Sequence, residues 1–177
     1  MSDDTDVAAS DAALGSRVTT VLDGLGAPYE VMQIDPALAD TAAFCAHYGI
    51  PLAQSANTII VASKKEPKQY CACLVLATTR LDVNHAVRKL MGASRVSFAT
   101  GDETKALTGM LIGGVTVLAL PGELPIYVDE RVMAPDWIIV GGGGRSTKIK
   151  LAPDVLRRIP NVTVVPGLAS EMSGGTS

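Results

Sequence analysis

Leu14, Val18, Val21, Leu22 and Leu25 recur at the spacing of one helix face, and Gly24 and Gly26 end the pattern. An amphipathic first helix is expected there. After Pro28 the period changes: "YEVMQI" (29–34) alternates apolar and polar residues, as a half-buried strand does. Asp40 stands before "TAAFCAHYG", a second helix closed by Gly49 and Pro51. "NTIIVAS" (57–63) and "YCACLVLAT" (70–78) are apolar on both parities, which predicts two strands covered on both faces. Asp82 opens a further helix with Val83, Ala86, Val87, Leu90 and Met91 on one face and Gly92 behind it. His85 falls away from that face, and both it and His47 read as surface or rim residues.

"RVSFA" is a short strand, and Thr100 with Glu103 has the spacing of a capping box. "GGVTVLAL" and "PIYVD" read as strands on either side of "PGE". "DWIIVG" and "STKIKL" flank a run of four glycines, Gly141 to Gly144. Pro153 opens a short helix and "NVTVV" is the last strand. The result is about eight strands and five helices without an internal repeat. Several connections are too short for parallel crossovers, so much of the sheet should be antiparallel. A single mixed α/β domain is expected over residues 11–168, between polar, mobile tails at 1–10 and 169–177.

Composition sharpens this only in places. With 47% hydrophobic but only 4% aromatic residues, the core must be built mainly from Val, Ile, Leu and Ala. A net charge of −3 argues against whole-surface binding to nucleic acid, and DNA is not expected as a partner. The basic clusters "KKEPK", "RSTKIK" and Arg157–Arg158 read as solvated surface on charge alone. Ala106 to Gly122 carries no charge, but its glycines and proline make it buried strand and loop, with no membrane partner expected. No signal-peptide pattern opens the chain, so a cytoplasmic location with Cys45, Cys71 and Cys73 reduced is expected. No metal site or other cofactor is expected.

The glycine run raises the chemical question. It matches neither phosphate-binding pattern: Lys148 follows Ser146-Thr147, and Ser146 stands where a dinucleotide loop needs its third glycine. A hairpin turn would explain it, and so would close approach of a ligand to the backbone. A second pair, Gly113-Gly114, precedes another apolar run, so one pocket could be floored by both segments. They are expected side by side.

The order of "SANTIIV", "LATTRLDVNHAVRKLMGASRVSFAT", "LTGMLIGGVTVLALPGELPIYVDERV" and the glycine run resembles the YbaK/ProX-type aminoacyl-tRNA deacylases, the YbaK/EbsC domain family. The resemblance runs from about Thr41 to Leu168 and is specific in the order of its blocks. It implies a mixed, largely antiparallel, barrel-like sheet with surrounding helices. It also implies a hydrolase acting on mischarged aminoacyl-tRNA, whose partner is the aminoacylated 3′ end or a small aminoacyl ligand; oligomers are compatible with it. Gly113 and Gly114 match the family's paired glycines, and Gly141, Gly142 and Gly143 its later turn, where Arg145 or Lys148 could meet a phosphate. Three positions depart: Asn57 replaces a lysine, Val117 a proline and Ala119 a glycine.

Hydrolysing an activated ester needs a placed water and donors for the oxyanion. Asn57 and the amides of Gly113 and Gly114 are the expected catalytic groups. Thr58, Thr116, Gly141, Gly142, Gly143, Arg145 and Lys148 are the expected substrate contacts. Asn57 could instead be a structural strand-start residue, Thr116 could face the core, and Asp129 could cap a helix or act as a base. Because Asn57 carries no charge, a homologue that binds the ligand or tRNA without catalysis is the alternative.

Overall fold

The computed structural model describes residues 2–172, with the side chains of residues 2–9 left undescribed. Helix α1 (Ser2–Leu25) ends at Gly26, whose φ of 65° suits glycine, and its Leu14, Val18 and Leu22 are buried. It begins upstream of the apolar pattern, within the segment expected as a tail. Strand β1 (Tyr29–Gln33) and helix α2 (Thr41–Tyr48) follow as the periodicity predicts.

Strands β2 (Ala56–Ser63) and β3 (Tyr70–Leu76) pair antiparallel in the middle of a five-stranded sheet. Around them lie β4 (Thr79–Leu81), β5 (Val96–Phe98), β6 (Ile126–Asp129), β7 (Ile138–Gly141), β8 (Thr147–Leu151), β9 (Val162–Val165) and β10 (Ala169–Glu171). The large sheet has the order β5-β2-β3-β6-β9, with β3-β6 and β6-β9 parallel. A second sheet has the order β1-β8-β7, and β10 pairs with β4. All pairings other than the two parallel ones named are antiparallel among these ladders. A single parallel bridge, Ser55 to Ile139, joins the two larger sheets.

Both faces of β3 are dry, as its composition demands. Ala72, Leu74 and Leu76 face the main core with Val18, Leu22, Ile126, Val140 and Ile149. Cys71, Cys73 and Val75 face a second cluster with Val61, Val87 and Leu168. The Sγ atoms of Cys71 and Cys73 lie 3.9 Å apart on that face, and all three cysteines are free thiols. Phe44 and Cys45 of α2 pack on Ile139 in a third cluster, which seats α2 against β7.

Four elements differ from expectation. "GGVTVLAL" forms no strand: Thr116 caps a 3-10 turn, Val117–Ala119, by accepting from Leu118 N. Its β-branched residues suit a strand, but glycine turns at Gly113 and Gly114 bend the chain first. The helix after Asp82 opens as a π-helical turn, Val83–Val87, before α3 (Arg88–Met91). The wider turn shifts the phase of the apolar face, and Leu90 comes out exposed. Strands β4 and β10 are additions, and β10 occupies the start of the expected C-terminal tail, whose residues 173–177 lie outside the described residues. Helix α4 (Gly101–Thr108) has the complete Thr100–Glu103 capping box. No described helix is long and apolar enough to cross a membrane.

Candidate active site

A cavity of about 280 Å³ opens where the start of β2 meets β7 and the two glycine segments. Its walls include Asp40, Asn57, Thr58, Gly113, Gly141 and Lys148. The floor is tight because it is made of backbone. Gly143 N donates to Gly114 O (2.7 Å), and Gly114 N donates to Leu111 O (2.8 Å). A Cβ on Gly114 would run into the carbonyl of Gly144, and one on Gly141 would lie 2.7 Å from Gly114 O. Gly113 (φ 93°) and Gly143 (φ 97°) also occupy backbone conformations that suit glycine. Close packing of the two loops thus accounts for Gly114 and Gly141; Gly143 and Gly144 lie against Leu14 and Asp11 of α1, and the segments separated in sequence lie side by side.

Polar groups enter this cavity from three elements. Asn57, near the start of β2, accepts from Thr41 Oγ1 at 2.5 Å, which fixes its amide and leaves the NH₂ for other partners. Thr58 Oγ1 is buried without a hydrogen-bond partner among the described residues. From β8 comes Lys148, only 6% exposed. Its Nζ donates to Gly113 O at 2.8 Å and sits 5.3 Å from the centre of the Phe44 ring. Burial, reinforced by the Arg145 guanidinium, lowers its pKa to about 8, against the opposing pull of Asp40 and Cys45.

Comparison with known proteins agrees with this architecture. The aminoacyl-tRNA editing domain model matches residues 35–159, most of the chain. The chain belongs to the aminoacyl-tRNA editing domain family. An Enterococcus faecalis protein named as a candidate Cys-tRNA(Pro)/Cys-tRNA(Cys) deacylase, EbsC, is 29% identical over 73 residues, covering 41% of this chain and 44% of that protein. The match therefore spans less than half the length of that relative. Among solved structures, hypothetical protein APE2540 superposes with a TM-score of 0.77 at 23% identity, covering 87% of this chain and 99% of that one. A candidate trans-editing enzyme for prolyl tRNA synthetase superposes with a TM-score of 0.72 at 23% identity, covering 85% and 95%. At these identities the two structures show the fold.

Within this editing domain the sequence-derived site residues separate. Asn57, Thr58, Gly113, Gly141 and Lys148 line one cavity, whereas the other five do not. Gly114 and Gly143 shape the floor; the Gly114 amide, expected to hold an oxyanion, is engaged by Leu111 O, and the Gly143 amide by Gly114 O. Gly142 packs on Thr147. Thr116 is fully buried and holds the turn at Leu118, which places it in the core and not the pocket. Arg145 sits at the rim, donating from NH1 to Ile112 O (2.6 Å) and Asp40 (3.4 Å). Asp129 is also wholly buried and makes no side-chain cap. Its Oδ1 accepts instead from Ala169 N at 3.4 Å, away from the cavity.

Sequence reasoning missed Asp40 as a site residue, because a residue before a helix reads as a cap. Its side chain makes no capping hydrogen bond and turns to Arg145. It also missed the depth of Lys148. A lysine in "TKIK" resembles an exposed strand residue, and only the pairing of β8 between β1 and β7 buries it.

Proposed function

We propose that this editing domain hydrolyses the ester of a mischarged aminoacyl-tRNA, or of a related aminoacyl ester, with the acyl group in the cavity between β2 and the glycine segments. The observation that carries this reading is the convergence of Asn57 and Lys148 over a backbone-walled cavity in a chain of this family. The ester is already activated, so a water held in place and a donor to the carbonyl oxygen suffice. Asn57, oriented by Thr41, holds the substrate through a neutral hydrogen bond. Arg145 and Lys150 lie at or near the surface, where a backbone phosphate of the tRNA would pass; Lys150 stands 3.8 Å from Glu30.

The test is a deacylation panel of correctly and incorrectly charged tRNAs, followed by loss of labelled amino acid from the tRNA. At least one mischarged species should be cleared well above the rate without protein. A second reading has one observation behind it: of the glycine amides that would suit an oxyanion hole, Gly114 N is spent on Leu111 O and Gly143 N on Gly114 O. On that reading the domain binds the aminoacyl end without cleaving it. A silent panel, together with a melting temperature raised by a non-hydrolysable aminoacyl-adenosine amide, would select it.

A further inference from the structure

We propose that Lys148 is the cation that meets the acyl carbonyl in this cavity, its free N–H groups donating to the oxygen that becomes negative when water attacks. The inference rests on the deacylase reading and names the group that performs its central step. An ammonium has three donors, and the Gly113 carbonyl takes one of them. No carboxylate among the described residues lies within ion-pairing distance of it, and Asp40, on the same cavity wall, pairs with Arg145 instead. Burying an ammonium without a counter-charge is costly. Its contacts are one hydrogen bond to the Gly113 carbonyl and a place over the Phe44 ring, which leave two of its three N–H donors without a partner among the described residues. Two of the glycine donors that an oxyanion could use are already engaged, Gly114 N on Leu111 O and Gly143 N on Gly114 O.

The chemistry balances without a further reactant. Water forms a C–O bond to the carbonyl carbon, and the π pair moves onto the carbonyl oxygen, where Lys148 donates a hydrogen bond. Collapse re-forms the C=O bond and breaks the bond to the ribose oxygen, which takes the proton given up by water. The products are a free amino acid and a tRNA with its terminal hydroxyl restored.

Lys148 serves this role only when protonated. The titratable groups facing it are Arg145 from the glycine turn and Asp40 and Cys45 from the α2 end of the cavity. After subtraction of spontaneous hydrolysis, kcat/KM should be level below pH 8 and fall above it, following the Lys148 pKa of about 8. Lys148→Arg should retain activity and lose the alkaline fall. Lys148→Met should lower kcat by on the order of 100- to 1,000-fold with little change in KM. A Met variant within threefold of wild type in kcat, or one that keeps the same alkaline fall, overturns the proposal. A second measurement avoids dependence on the variants. The Lys148 side-chain NMR signal of the wild-type protein is followed while a non-hydrolysable aminoacyl-adenosine amide is added. A shifted signal supports contact with the acyl group even if the deacylation panel is silent, in which case the deacylase reading alone fails. An unmoved signal, whether or not the analogue binds elsewhere, overturns the contact.

Discussion

Replacing Lys148 by Met should change how stability depends on pH, in an amount the structure sets. The folded pKa is about 8, because burial and Arg145 disfavour the ammonium, while the unfolded chain returns to the ordinary 10.5. A lysine with a depressed folded pKa destabilises the fold wherever the unfolded chain holds the proton more tightly. The penalty is complete below pH 8 and vanishes as pH rises past 10.5. Linkage gives about 3 kcal/mol at pH 7, about 2 kcal/mol at pH 9 and less than about 1 kcal/mol at pH 10.5. Lys148→Met removes this penalty, and it also removes the hydrogen bond to Gly113 O and the contact with Phe44. Leaving a buried carbonyl unpaired costs roughly 1–3 kcal/mol, so the net sign at one pH decides nothing. The pH slope does. Urea unfolding, read from the single Trp137, should show wild type gaining about 3 kcal/mol on the variant between pH 7 and pH 10.5. Parallel curves would mean that Lys148 is solvated in solution, and the reasoning from burial would fail.

Three smaller predictions follow from local geometry. Gly114→Ala should destabilise by about 1–3 kcal/mol or more, because its Cβ meets the Gly144 carbonyl, whereas Gly122→Ala, with open space around it, should leave the melting temperature nearly unchanged. Asn57→Ala should cost about 1–3 kcal/mol in transition-state stabilisation, measured as kcat/KM, and Asn57→Lys should be slower still because it places a second ammonium in the cavity with Lys148. Glu103 is held at a pKa of about 2, first by the Thr100 backbone N–H and then by Lys68 and Tyr70. Its contribution to stability is present above the ordinary carboxylate pKa and is lost as pH falls toward 2. Lys68→Met should raise its NMR-measured pKa only part of the way, since the capping hydrogen bond remains.

Much of the fold was legible wherever one local rule governed a segment. The two-sided apolar runs of β2 and β3, the capping box of α4 and the glycine stops of α1 and α2 are all where periodicity places them. Legibility failed where a residue's role depends on a distant partner. Val117 and Leu118 have strand propensity, but the Gly113 turn and the Thr116 cap wind them into a 3-10 turn. Glycines 113 and 114 could be matched to the run at 141–144 because close backbone approach leaves a compositional trace. Lys148 left none: its burial follows from β8 lying between two strands and from Phe44 beneath it. The same holds for Asp40, whose pairing with Arg145 spans 105 positions of sequence.

The central claim is that the acyl group lies in the cavity between Asn57 and Lys148. A crystal structure with a non-hydrolysable aminoacyl-adenosine amide tests it most directly. The account predicts the acyl carbonyl oxygen within hydrogen-bonding distance of Lys148 Nζ, the Asn57 NH₂ on the substrate, and Gly113 and Gly141 against it. An analogue seated instead in the cleft between α1 and β1, lined by Gly15, Thr19, Val31 and Thr147, would contradict the account.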